Sequence, residues 1–254
     1  MKLRAILAPA LLIAVLLGAW QLWAQLSHAP EYLLPSPAAI ARALAANAPL
    51  LIVSAWRTLA MSLQALVAAS LFAGILALTV SLSQTLDRAI RPIAVALQVT
   101  PVVAIAPLFV IWAGVDHPTR AIIALAAIVA FFPVFSGTAR GLASADPDLE
   151  RLFDLYGANR VQRLLRLRLP SAVPFIVEGA KVASGLAIIG AVVAEWVAGS
   201  GGAQGLAWRI LEAGNRLETA KMFAAILVLA LMAAAVHLAF LFLERRALTW
   251  WRGR

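Results

Sequence analysis

The chain has 254 residues, of which 63% are hydrophobic and only 13% charged, and it contains no cysteine. A soluble domain carries about 45–50% apolar and about 25% charged residues, so an ordinary water-soluble fold is excluded. The missing cysteine excludes disulfides, thiolate catalysis and cysteine-based zinc sites. The net charge of +9 is almost wholly arginine and is scattered between apolar runs. That is the pattern of a positive-inside bias and of attraction to anionic membrane lipid, and no nucleic-acid partner is expected.

A helix needs about 20 apolar residues to cross a bilayer, and uncharged runs of that size recur. The first, residues 5–27, follows Lys2 and Arg4. It is longer than the apolar core of a secretory signal and carries Trp20 and Trp23 where an interfacial aromatic belt lies, so it reads as an uncleaved span. Residues 28–57 form an outside segment in which Ser36-Pro37 marks a helix start and residues 38–48 read as a short helix of their own. Spans follow at 58–80, 92–114 and 121–139, joined by a short inside connection at 84–91 and a tight turn at Asp116-His117-Pro118. Pro101, Pro107 and Pro133 lie inside these spans, where each removes a backbone hydrogen bond and permits a kink.

Residues 141–170 make the longest inside stretch. Ser144 or Asp146 can cap a helix with Pro147 in its first turn, and Leu149, Leu152, Phe153 and Tyr156 recur at helical spacing before Gly157 stops it. A second amphipathic piece, 161–169, carries arginines and is expected to end at Pro170. An apolar face on so short a helix fits either a helix lying on lipid or a helix that docks on a cytosolic subunit.

The fifth span, about 172–197, has Glu178 and Lys181 one turn apart, read as an i,i+3 pair, and Glu195-Trp196 at its far end. Glu195 is either a solvated helix-end group or part of a substrate path. Small residues (Ala183, Ser184, Gly185, Gly190, Ala194) let this helix approach neighbours closely. The run Gly199–Gly202 that follows is a linker or a mobile gate element, and the sixth span covers 222–243. With the N-terminus inside, fourteen Lys/Arg lie in inside segments and six outside, so both termini are expected to be cytoplasmic.

Chemistry of an enzymatic kind is missing from the sequence. The histidines are scattered, and no His-Glu-x-x-His or Gly-x-Ser-x-Gly occurs. None of Lys2, Lys181 and Lys221 follows a phosphate-loop glycine pattern. No catalytic residue, cofactor site or metal site is assigned, and ATP-driven work would fall to another polypeptide. An ion-coupled secondary transporter is the alternative, and it would require internal repeats and polar groups at mid-membrane.

Three stretches carry a resemblance. Gly157 is followed by nine residues and then Leu167-Arg168-Leu169-Pro170, the spacing of the cytoplasmic loop in permeases of binding-protein-dependent ABC importers. Arg151-Leu152-Phe153 stands where that loop reads Glu-Ala-Ala, with Glu150 just before. Residues 100–114 and 189–196 resemble the third and fifth spans of the nitrate/sulfonate/taurine subfamily, and Met222-Phe223-Ala224-Ala225 is similar to permeases for thiamine-pyrimidine precursors and riboflavin.

The resemblance implies an all-α integral membrane protein of the type I ABC importer permease fold, with six transmembrane helices in a multi-pass chain of the bacterial inner membrane. It divides the chain into an N-terminal helix and outside loop (1–57), a five-helix core (58–243) containing the coupling loop 141–170, and a cytoplasmic tail (244–254). The implied partners are a cytosolic ABC ATPase dimer, an extracytoplasmic solute-binding protein and a second permease copy, which makes a homodimer within membrane lipid. ATPase coupling falls to Leu149, Glu150, Arg151, Leu152, Phe153, Asp154, Tyr156, Gly157, Ala158, Leu169 and Pro170. The translocation pathway or gate falls to Gln98, Thr100, Glu195 and Trp196.

Overall fold

The computed structural model of the chain describes residues 2–27, 30–114, 116–198 and 203–252. Its elements are helical throughout those residues: α1 (Lys2–Leu26), α2 (Pro37–Ser81), α3 (Gln84–Val99), α4 (Val102–Ala113), α5 (Pro118–Leu142), α6 (Pro147–Leu155), α7 (Arg160–Arg163), a π-helical turn (Leu164–Arg168), α8 (Leu169–Ala198), α9 (Leu206–Asn215) and α10 (Thr219–Arg252). Among the described residues, four helices are long and apolar enough to cross a membrane, within Pro37–Ser81, Pro118–Leu142, Arg160–Ala198 and Thr219–Thr249. The pair Thr85–Val99 and Val103–Ala113 makes a fifth if it counts as one span. The apolar part of α1, Leu11–Leu26, is shorter.

Local chemistry sets several of the boundaries. The start of α2 falls where Ser36-Pro37 places it: Ser36 Oγ accepts from the Ala39 N–H at 3.2 Å and Pro37 takes the first helical position. The expected short helix at 38–48 is not separate, because α2 runs unbroken through it and through Pro49 for 45 residues. At about 1.5 Å per residue it is roughly twice the thickness of a hydrocarbon core, so a good part of it lies beyond any single crossing.

The third expected span also differs. Instead of one helix over 92–114, helical structure begins at Gln84 and breaks at Thr100-Pro101, where the two arms bend by 101°. Proline excludes the preceding residue from the helical region, and Thr100 accordingly sits at φ −70°, ψ 124° with its hydroxyl donating back to the Ala96 carbonyl at 2.7 Å.

The chain forms two compact units, residues 1–57 with 204–231, and residues 58–203 with 232–254. In the first, Gln21 Oε1 accepts from the Ala38 N–H at 3.1 Å and Thr219 Oγ1 donates to the Tyr32 carbonyl at 2.6 Å. Trp20 is half-buried and meets the Phe223 ring with centroids 6.1 Å apart, while Trp23 is exposed. Only Trp23 therefore fits the aromatic-belt reading.

The most extensive pairing in the second unit is α5 with α8. Small residues allow it: a Cβ built on Gly179 would lie 2.7 Å from the Pro133 carbonyl oxygen, one on Gly137 2.8 Å from that of Phe175, and one on Gly190 2.8 Å from Ala126 Cα. Around this seam Leu66, Ala69 and Ala73 of α2, Phe131, Val134 and Phe135 of α5, and Ala183 and Ala187 of α8 are buried together, with the Phe131 and Phe135 rings stacked at 5.6 Å.

Candidate functional site

The loop between α5 and α8 is built by local rules. Asp146 caps α6, its carboxylate accepting from the Asp148 N–H at 2.8 Å, and Pro147 follows at the first position. At the other end Gly157 takes φ +63°, the Gly157 N–H donates to the Asp154 carbonyl, and the Ala158 N–H donates to that of Phe153, both at 3.0 Å. This is a Schellman ending, and it needs a residue without a Cβ at the left-handed position. Asn159 and Gln162 then form a reciprocal capping box that opens α7.

No residue of α6 is buried. Leu149, Leu152 and Tyr156 are exposed, Tyr156 at 82%, and Phe153 is half-buried. With Ala158, Gln162 and Arg166, three of these (Leu152, Phe153, Tyr156) line a shallow groove of about 360 Å³. The polar side of the helix is tied down. Glu150 accepts from Arg168 Nε at 2.6 Å and lies 3.9 Å from Arg163, which also pairs with Asp154. Arg151 faces away and pairs with Asp148 at 3.1 Å. One face is thus fixed to the following helix while Leu149, Leu152 and Tyr156 stay uncovered among the described residues.

Pro170 does not end that following helix. The chain continues through the π-helical turn Leu164–Arg168 into α8, with the Leu169 N–H donating to the Leu164 carbonyl. Proline supplies no N–H and clashes with the carbonyl one turn back, and widening the preceding turn accommodates it without a break. Leu169 is half-buried; the exposed Pro170 offers its carbonyl to the Trp251 indole N–H at 2.8 Å. Trp251 thereby ties the end of α10 to the start of α8.

A second correction concerns Lys181. Its ammonium donates to both oxygens of Glu244, at 3.0 and 2.8 Å, and Glu178 is exposed. The i,i+3 partner is displaced by a carboxylate on α10 that can take two of the three ammonium protons.

At the far end of α8, Glu195 is buried at 2% exposure and accepts from the Thr58 hydroxyl at 3.0 Å. The solvated helix-end reading is therefore wrong for Glu195. Trp196, its neighbour, is 52% exposed. Gln98 is exposed and Thr100 half-buried, both at the break between α3 and α4. The glycine run 199–202 lies outside the described residues.

Sequence reasoning missed α9 and its polar centre. Arg209, 9% exposed, donates to Ser54 Oγ at 3.2 Å, Glu212 Oε2 at 2.7 Å and Gln204 Oε1 at 3.0 Å. The Glu212 carboxyl is held below the usual carboxylate range, first by the Arg209 hydrogen bond, with burial opposing and the charges of Arg209, Arg216 and Lys221 assisting. The amphipathic spacing of Leu206, Ala207, Ile210 and Ala213 was the signal available for it.

Among the described residues the chain is helical, with several helices long and apolar enough to cross a membrane, which is the architecture of a multi-pass membrane protein. The model of the family described as binding-protein-dependent transport system inner membrane component matches residues 65–249, and the chain belongs to that family. It is a permease subunit of an ABC importer, a multi-pass inner-membrane protein of a class that works with ATPase and solute-binding subunits.

It is 36% identical over 229 residues to a probable ABC transporter permease protein of Haemophilus influenzae, covering 90% of this chain and 91% of that one. It is 32% identical over 245 residues to the formylaminopyrimidine transport permease protein ThiX of Halalkalibacterium halodurans (96% of each chain). It is 33% identical over 240 residues to the riboflavin transport system permease protein RibX of Chloroflexus aurantiacus (94% and 88%). The likeness extends to aliphatic sulfonate, taurine and nitrate permeases, and it gives no support to an ion-coupled secondary transporter.

Proposed function

We propose that two copies of this chain form the pathway for a small organic solute or anion, delivered by an external binding protein and driven by a pair of cytosolic ATPases that dock on α6. The cargo is drawn from the chemistry of its relatives: a pyrimidine precursor, a flavin, a sulfonate, taurine or nitrate. Both termini are cytoplasmic in this reading, which the Lys/Arg asymmetry supports. The chain hydrolyses no ATP itself, since none of its lysines stands in a phosphate loop.

The observation that carries the docking is the state of α6. A nine-residue helix, capped at both ends and pinned along one side by Glu150 and Asp154, leaves Leu149, Leu152 and Tyr156 in the open. Pinning makes it a rigid lever, so a push on its apolar face passes through the Glu150–Arg168 pair into the π-helical turn and α8. The lipid-surface reading is weaker because Arg151 and Asp148, both strongly exposed, alternate with these apolar residues.

Along α8 the small residues Ala183, Gly190, Ala191 and Ala194 are used up by neighbours within the chain, so they do not argue for a dimer axis. Val182, Gly185, Ile189 and Trp196 form a separate exposed stripe, and we assign the pathway and the second copy to that side. Thr100, at non-helical backbone inside a span, and Gln98 in the last turn of α3 beside it are assigned to the same pathway, because such a break is tolerated in lipid only where protein or a cavity surrounds it.

Reconstitution of the chain with its ATPase and binding protein in proteoliposomes tests the function. ATP-dependent uptake of the ligand that mass spectrometry finds on the purified binding protein is expected. Uptake driven by an ion gradient without the ATPase would overturn it.

A further inference from the structure

On the α7 side of the coupling loop the structure holds a polar cavity of about 480 Å³ that the transport reading does not use. It is lined by Ser81, Leu82 and Ser83, the connection between α2 and α3, and by Arg160, Arg163, Leu164 and Arg168. We infer that this cavity binds a phosphate group, the headgroup phosphate of an anionic membrane lipid or a free phosphate.

Charge and donor supply carry the inference. Three guanidiniums line the cavity; Asp87, in the pocket adjoining Arg168, is taken by Arg91, and the carboxylates that pair with the lining arginines are Glu150 and Asp154. Both carboxylates are engaged by Arg163 and Arg168, so they fix those two side chains and leave a net positive site. Arg168 uses only its Nε, toward Glu150; its two terminal nitrogens have no partner among the described residues. Arg160 makes one long contact, 3.4 Å from a terminal nitrogen to the Leu82 carbonyl, and pairs with no acid among the described residues.

Ser83 accepts from the Leu86 N–H at 3.5 Å, and its hydroxyl proton is left to donate. Planar guanidinium forks matched to oxyanions, with a hydroxyl donor, are the chemistry of phosphate recognition. A phosphate here would bridge the α2–α3 connection to the helix that carries the π-helical turn, and so brace the coupling loop against the bundle. Leu82, which lines the cavity, is exposed, as are Leu86 and Leu165 close to the lining residues in sequence, which suits a site whose ligand reaches it from a lipid layer.

The test uses the full chain in a neutral detergent and native mass spectrometry with dioleoyl-phosphatidylglycerol, dioleoyl-phosphatidylcholine and inorganic phosphate as probes. One phosphatidylglycerol per chain is expected to be retained at least fivefold more tightly than phosphatidylcholine. Arg160→Gln removes a donor that has no carboxylate partner and is expected to lower that retention about fivefold to tenfold. Arg88→Gln makes the same charge change at an exposed arginine outside the cavity and is expected to stay within about twofold. Inorganic phosphate that binds with the same dependence on Arg160, while the lipids do not, supports the site with the free anion as its ligand. Equal losses in Arg160→Gln and Arg88→Gln, or no dependence on either, would overturn the proposal. Circular dichroism of each variant separates a lost site from a lost fold.

Discussion

The α5–α8 seam and the helix α6 are built from the same kind of short sequence signal and end in opposite states. At the seam, glycines and alanines let two backbones approach until a single methyl group no longer fits at Gly137 or Gly179. At α6 no side chain is buried, and leucines and a tyrosine stand in the open. A seam of that density has few alternative packings, so α5 and α8 move as one body. A rigid helix with an uncovered apolar face gives such a body something to be pushed by. In the proposed reading the open helix receives the push and the seam passes it on.

The largest expected effect breaks the seam. Gly179→Leu places a side chain where even a Cβ would lie 2.7 Å from the Pro133 carbonyl, and the variant is expected not to accumulate as folded protein. Gly179→Ala costs about 1–3 kcal/mol, the usual price of overpacking, and is seen as a lowered unfolding temperature in detergent. Gly185→Leu, on the open side of the same helix, leaves that temperature unchanged because nothing lies within 4 Å of its Cβ position. If the stripe of Val182, Gly185 and Ile189 meets the second copy or the pathway, the same variant lowers transport. A Gly185→Leu protein that transports normally would remove that stripe from the account.

The next effect sharpens the comparison at the other end of α8. Glu195→Gln keeps an acceptor for the Thr58 hydroxyl while removing the charge. Transport is expected to fall severalfold with complex assembly intact. Full transport would make Glu195 a structural acceptor only.

The smallest effect belongs to α9. The Glu212 carboxyl is lowered by Arg209, so its contribution to stability is complete above the ordinary carboxylate value of 4.5 and is lost as pH falls through its own lower value. Acid is therefore expected to loosen α9 before α5 and α8. Hydrogen exchange of Leu206–Asn215 at descending pH follows it, and Glu212→Gln should abolish the acid dependence.

What could be read from the sequence was local. Asp146-Pro147 and Gly157 define α6 because a cap and a left-handed turn depend on a few adjacent residues. Ser36-Pro37 fixes the start of α2 for the same reason. Where the reading failed, the deciding partner was distant or a proline had more than one outcome. Pro101 broke a span that was read as merely kinked, while Pro170 was absorbed by a wider turn instead of ending a helix. Lys181 took Glu244, sixty-three positions away, over its neighbour Glu178. Arg209 found Ser54, Gln204 and Glu212, and no spacing rule pairs the first of these with it. The exposure of Tyr156 and the burial of Glu195 are tertiary facts of the same kind.

The central claim, that the open face of α6 receives the ATPase, is tested most directly by co-purification of the tagged ATPase with a Phe153→Ala, Tyr156→Ala chain. Each large side chain buried at the joint contributes roughly 1.5–3 kcal/mol. Because Tyr156 is exposed and Phe153 only half-buried, the double variant should stay close to the unfolding temperature of the parent. The account predicts that ATPase retention falls by one to two orders of magnitude, and ATP-driven uptake with it. Undiminished retention and uptake, at unchanged stability, would contradict it.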